Sequence, residues 1–294
     1  MLLRTAVATL RAAGHRVSLL APAAAGAALL GSGPAEVEAV LPWEAAPVAH
    51  LLSGGDALSP EMERALSPFD AVVAYTGNPA LARALGLGGA RVVVHPPRPP
   101  CPGPHVARFM AEAVTTLGAD AAIEPPLLVA SPEEDAQARR WVDRLPSGFL
   151  AVHPGSGSPR KNWPAERFAE MVEVLAAGRP WLLVEGPADA EAARVLALRP
   201  RAVIARELPA RILGALLAQA GLYVGNDSGV SHLAAAFGAP SLVVFGPTDP
   251  AQWAPVGRSV LTLRASDHTL EGIAVETVTR MAREALSSPR PPSG

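Results

Sequence analysis

Lysine is almost missing from this chain of 294 residues: of its 25 lysine and arginine side chains, all but Lys161 are arginines. Cysteine is equally scarce, with Cys101 alone. That excludes an intrachain disulfide and a cysteine-built metal site, suits a reducing cytosol, and leaves Cys101 to be read as an inert thiol. A basic excess is lacking too. The formal net charge of −2 argues against a duplex nucleic-acid binder, whose affinity comes from neutralising phosphates. No apolar run approaches the ~20 residues of a membrane span, and Arg4 and Arg11 interrupt the N-terminal apolar stretch before it reaches signal-peptide length. A soluble, cytoplasmic protein is expected. The histidines have no H-E-x-x-H or comparable ligand spacing, so neither a metal nor a cofactor is implied. Aromatic residues make up only 4% against 49% hydrophobic in all, which predicts cores of tightly packed alanine, leucine and valine.

What is present is a regular alternation. Short β-branched runs exchange with longer alanine-rich helical patterns, the arrangement of parallel sheets covered by helices, so the fold class is α/β. The chain is longer than one core usually organises, and two domains are the default. In the first half strands are predicted at 16–20, 36–41, 71–75 and 91–95, with helices near 2–13, 59–66, 79–85 and 106–117 and a proline-rich loop at 96–104. In the second half strands are predicted at 149–152, 181–185, 202–205, 222–224 and 241–245, with a final helix over about 271–286 and a disordered polar tail. The divisions are an N-terminal domain at 1–130, a linker region at 131–147, a second domain at 148–270, and the closing helix and tail at 271–294.

Three loops carry the chemistry. The strand at 149–152 runs into His153-Pro-Gly-Ser156 and on to Lys161-Asn-Trp-Pro164, making a strand, glycine loop and helix unit. Glycines let backbone amides approach an anion, and an ammonium is a compact point charge suited to one pyrophosphate oxygen, so Lys161 is read as a phosphate ligand. Ser156 is either a second ligand or a turn residue. Gly225-Asn-Asp-Ser-Gly229 then follows an apolar strand and opens a helix. Asp227 or Ser228 caps it, which aims amides near Gly229 at the carboxyl edge of the sheet, where open α/β folds bind ligands. His232 lies one turn on from Ser228, facing the ligand or buried for structural reasons. The third loop, Gly246-Pro-Thr-Asp-Pro250, places Thr248 on the same edge.

These segments together resemble glycosyltransferase family nine, the ADP-heptose:lipopolysaccharide heptosyltransferases. The resemblance rests on His153-Pro-Gly-Ser…Lys161-Asn-Trp-Pro, Glu185-Gly-Pro-Ala-Asp189, Gly225-Asn-Asp-Ser-Gly…His232-Leu-Ala-Ala-Ala-Phe-Gly-Ala-Pro240 and Phe245-Gly-Pro-Thr-Asp-Pro250. It implies a GT-B fold: two Rossmann-like doubly wound domains facing a cleft, the N-terminal one truncated. It also implies an enzyme that moves a heptose-like sugar from an ADP-linked donor to a lipopolysaccharide or other glycan acceptor, with inversion. Residues matching Ser156 and Lys161 contact the donor pyrophosphate in that family, the one matching Asp227 holds the sugar, and the Ser228–Gly229 turn offers amides to phosphate. His232 matches the histidine of the same motif, and Asp189 aligns loosely with an acid near the adenosine ribose. A lipid-linked acceptor implies peripheral association with the inner membrane.

Family members begin with an apolar strand and a Gly-Asp loop whose aspartate is the proposed general base, and this chain begins after both. Two expectations follow: that the natural product starts upstream of Met1, or that the chain is a degenerate homologue that binds a nucleotide sugar without transferring it. Asp56, His95 and His105 are the first-half candidates for a replacement base, each also readable as a solvated or structural residue. A hydrolase built on Ser228 and His232 is the remaining alternative, although the nucleophile-elbow order Gly-x-Ser-x-Gly is absent.

Overall fold

A computed structural model describes residues 1–45, 58–86, 89–120, 124–186 and 189–287. Asp56 and the tail at 288–294 lie outside the described residues. The chain divides into two units, Leu2–Pro126 and Leu127–Gly294.

The first unit opens with α1 (Arg4–Ala12), followed by β1 (Ser18–Ala21), α2 (Ala23–Ala27) and β2 (Ala39–Pro42). Then come α3 (Pro60–Leu66), β3 (Ala71–Tyr75), α4 (Pro79–Gly86), β4 (Arg91–His95) and α5 (Val106–Thr115). All pairing is parallel, but among the described residues the strands form two separate pairs, β1 with β2 and β3 with β4. The second strand was expected from residue 36. It starts at Ala39 because the buried Glu36 side chain turns back to accept the Gly33 N–H at 2.6 Å, and Val37 makes only an isolated bridge to Leu30.

The second unit begins with α6 (Pro132–Val142), which lies within the stretch 131–147 and packs on α9 (Ala210–Ala218). Its start is specified locally. Ser131 accepts from the Glu134 N–H while the Glu134 carboxylate accepts from the Ser131 N–H, a reciprocal cap. Glu134 also takes Arg211 Nε at 2.7 Å, which fastens α6 to α9.

Next come β5 (Leu150–His153), a short 3₁₀ turn (Pro159–Lys161), α7 (Ala165–Ala176), β6 (Trp181–Glu185), α8 (Ala190–Ala197) and β7 (Ala202–Arg206). After α9 follow β8 (Leu222–Asn226), α10 (Gly229–Ala236), β9 (Ser241–Phe245), α11 (Pro250–Trp253), β10 (Val260–Arg264) and α12 (Val275–Ser287). Six parallel strands line up as β10-β9-β8-β5-β6-β7. β5, β8 and β9 are buried along their whole length, in keeping with their largely apolar sequences. From β5 the chain winds outward to β7 in one direction, then returns to β8 and winds outward in the other. The reversal lies between β5 and β8, whose final register pair is His153 with Gly225. The loops leaving these two strands are therefore neighbours, and such a crevice is where open α/β sheets bind ligands.

Candidate functional site

At the carboxyl edge of β5 and β8 the lone lysine meets the aspartate of the second loop. Lys161 Nζ donates to Asp227 Oδ2 at 3.0 Å, and Thr248 Oγ1 from the third loop donates to the same oxygen at 2.8 Å. Asp227 keeps 7% of its side chain exposed and Lys161 26%. A carboxylate this deep needs such partners, because an unpaired buried charge is costly. An ammonium carries three protons. Asp227 takes one, and among the described residues no other side chain or carbonyl claims the remaining two.

Immediately after Asp227, Ser228 caps α10 by accepting the Ser231 N–H at 3.3 Å. Beneath it runs a closed chain of hydroxyls. Ser231 Oγ donates to the Asn226 carbonyl and lies within hydrogen-bond reach of Tyr223 Oη (3.0 Å) and Ser228 Oγ (3.3 Å). Tyr223 is fully buried, and burial pushes its phenol well above the ordinary value, so it serves this chain as an O–H. With Ser231 N–H and His232 N–H both bonded to Ser228, the amides of Gly229 and Val230 have no partner among the described residues. A Cβ added at Gly229 would meet nothing within 4 Å, so its backbone stands open. Free amides at a helix N-terminus are a feature suited to an anion, and Asp227, the partner of Lys161, lies two residues before the first of them.

The other residues singled out by sequence divide clearly. Ser156 shares the Lys161 loop, and its hydroxyl is turned into that loop, 2.7 Å from Ser158 O and 2.6 Å from Asn162 Oδ1. His232 is half-buried in the first turn of α10. Asp189 stands apart, one strand over. Its carboxylate accepts the Gly186 N–H at 3.1 Å and lies 3.4 Å from Nε2 of buried His153, whose Nδ1 is 3.2 Å from Val184 O. Burial lowers the His153 pKa, an effect partly opposed by the Asp189 charge. This pair explains Gly155: a Cβ there would fall 1.8 Å from Asp189 Oδ1.

In the first unit, the His95 ring packs edge-on between Tyr75 and Phe109, with centroids 5.8 and 4.3 Å away. His105 Nδ1 accepts the Ala107 N–H at 3.2 Å and caps α5.

Two positions passed over in the sequence matter for the geometry. Asn226 joins the first two loops through its side-chain amide. Arg264, on β10, braces the third loop with Nε on Gly246 O at 3.2 Å and Nη1 3.6 Å from Asp249. The signal for Asn226 was a polar residue closing an apolar buried strand, since a buried amide must find partners.

Residues 88–280 match the family model described as glycosyltransferase family 9 (heptosyltransferase). Among curated proteins, the chain is 27% identical over 178 residues to lipopolysaccharide heptosyltransferase 3 of Escherichia coli, covering 58% of this chain and 52% of that one. It is 31% identical over 159 residues to lipopolysaccharide heptosyltransferase 1 of Escherichia coli K12, covering 52% and 49%. The chain thus spans about half the length of the curated relatives it matches. Among solved structures, a family 9 glycosyl transferase from Veillonella parvula superposes with a TM-score of 0.80 at 20% identity, over 97% of this chain and 93% of that one. The E. coli ADP-heptose heptosyltransferase II gives 0.77 at 18%, over 97% and 95%. E. coli heptosyltransferase WaaC, solved with ADP, gives 0.68 at 21%, over 96% and 95%. The shared fold is of the GT-B type, α/β with parallel sheets. By the family match over residues 88–280, the chain belongs to glycosyltransferase family 9.

Proposed function

We propose that this protein transfers a heptose-like sugar from an ADP-linked donor to a lipopolysaccharide or other glycan acceptor, with inversion at the anomeric carbon. The Leu127–Gly294 unit takes the donor and the Leu2–Pro126 unit serves the acceptor. The observation that carries this reading is the Lys161 ammonium held at the sheet's reversal point beside two unclaimed amides, at Gly229 and Val230. Further support comes from the relatives, which are named as heptosyltransferases and one of which was solved with ADP.

In the reaction an acceptor oxygen bonds to the anomeric carbon while the bond from that carbon to the diphosphate breaks. The acceptor proton leaves to a base, and negative charge collects on the departing diphosphate. Lys161 and the amides of Gly229 and Val230 stabilise that charge, and removing one preorganised donor of this kind typically costs about 3–4 kcal/mol of transition-state stabilisation. Asp227 holds the ammonium in place and faces the sugar. Ser156 and Ser228 act through the shape of their loops, His232 stands in the first turn of α10, and Asp189 braces the neighbouring loop after β6. Among the described residues no helix is long and apolar enough to cross a membrane. A lipid-linked acceptor would be met by peripheral association with the inner membrane face.

The test is ADP release from a panel of nucleotide sugars incubated with lipopolysaccharide-core acceptors, with the product anomer read by NMR. Acceptor-dependent release of ADP and an inverted product are expected. ADP binding with no release from any pair would replace this reading with that of a nucleotide-sugar-binding homologue.

A further inference from the structure

We infer that Asn226 is a positioning residue: its one side-chain amide sets where the Lys161 ammonium stands relative to the N-terminus of α10. This rests on the donor-site reading above. The loop from Pro154 to Trp163 carries Ser156 and Lys161, and both of its ends are fastened to the same buried group. Asn226 Nδ2 donates to Pro154 O at 2.7 Å, and Asn226 Oδ1 accepts the Trp163 N–H at 2.9 Å. A carbonyl on one side and an N–H on the other fix which way the amide points. Asn226 is wholly buried, as are Pro154 and Trp163, so no solvent replaces these bonds.

The same residue governs the facing element. Its own carbonyl accepts the Ser231 hydroxyl, which supports the Ser228 cap and hence the first turn of α10. Asp227, the partner of Lys161, is the next residue in the chain. The ammonium and the helix amides proposed to hold the diphosphate, and the carboxylate between them, are therefore tied to one asparagine whose own amide is engaged by Pro154 and Trp163. The loop has a second internal tie, Ser156 Oγ to Asn162 Oδ1, so losing Asn226 shifts the loop as a body and carries Lys161 with it. Moving the ammonium out of reach of a phosphate oxygen forfeits a hydrogen bond between charged groups, about tenfold or more in affinity.

Titration of ADP and of adenosine into wild type, Asn226→Ala, Lys161→Met and the double variant tests this. Asn226→Ala is expected to weaken ADP about tenfold or more and leave adenosine unchanged. In the Lys161→Met background the same change is expected to add less than about twofold, because its effect passes through Lys161. Equal losses for ADP and adenosine, or additive losses in the double variant, would overturn the inference by making Asn226 a general scaffold residue.

Asn226→Asp keeps the shape should the alanine variant not fold. Its carboxylate opposes the Pro154 carbonyl at pH 8, whereas the protonated acid can donate as the amide does. ADP affinity of Asn226→Asp relative to wild type should recover as pH falls toward 5.5, and a flat ratio would count against the inference. Wild type that binds adenosine and ADP equally would instead remove the donor-site reading, and this inference with it.

Discussion

Replacing Gly155 with alanine isolates the steric bargain beneath the Lys161 loop. The new Cβ would fall 1.8 Å from Asp189 Oδ1 and 2.0 Å from Cγ, distances no real contact sustains. Asp189 has nowhere to retreat. It is 7% exposed, and its carboxylate is engaged by the Gly186 N–H at 3.1 Å and by His153 Nε2 at 3.4 Å. Overpacking a tight interior costs about 1–3 kcal/mol, and stranding a buried polar group costs about 1–3 kcal/mol more. The sum is about 4 kcal/mol at mid-range, which lowers Tm by about 8–16 °C for a unit of this size. Thermal and urea unfolding of the purified chain would measure it. Asp189→Gly removes the three nearest clashing atoms, so adding Gly155→Ala in that background should cost under about 1 kcal/mol although Asp189→Gly is itself destabilising. A loss below about 0.5 kcal/mol for Gly155→Ala alone, or additive losses in the cycle, would refute this account of the glycine.

The His153–Asp189 pair also predicts a pH dependence. Unfolded His153 takes up a proton near its ordinary pKa of about 6.5, whereas burial makes the folded chain accept it only at lower pH. Between those values the unfolded state holds more protons, so stability falls as pH drops below about 6.5, by at most about 1.4 kcal/mol per pH unit, and levels off once the folded value is passed. Urea midpoints between pH 8 and 5 should show the slope, and His153→Gln should flatten it; an unchanged slope contradicts the assignment. Elsewhere, Ser131→Ala breaks the reciprocal cap of α6 and should cost about 1 kcal/mol in the same urea assay, while a neutral result would mean that the Glu134–Arg211 contact alone holds that helix start.

Much of the second unit could be read from the chain because local and global signals agree there. β6 and β9 are apolar but for one end residue each, Glu185 and Ser241, and both stand where their sequences place them. β10 escaped notice for a physical reason. Val260-Leu-Thr-Leu-Arg264 lies at the sheet edge, half-exposed, and lacks the continuous apolar character of a strand buried on both faces. The helix α6 was obscured by its charge: eleven residues, Pro-Glu-Glu-Asp-Ala-Gln-Ala-Arg-Arg-Trp-Val, bury only Ala138 fully, although the Ser131-to-Glu134 cap was visible in the sequence. At the site, the meeting of Lys161 with Asp227 and Thr248 followed from three loops placed on one sheet edge. The inward turn of Asp189 toward His153 did not, because it depends on a contact between strands 31 residues apart in sequence at Val184 and on the space left by Gly155. Asn226 was in plain view within its motif, but its role appears only when Pro154 and Trp163 are found on either side of its amide.

In the proposed reaction the side-chain ammonium of the one lysine, Lys161, holds the diphosphate. Calorimetric titration of ADP and adenosine into wild type and Lys161→Met tests it most directly. A hydrogen bond to a charged group is worth about 1.5–3 kcal/mol, so ADP should bind the variant roughly tenfold to a hundredfold more weakly while adenosine binds both alike. Equal ADP affinity in the two proteins would contradict the claim.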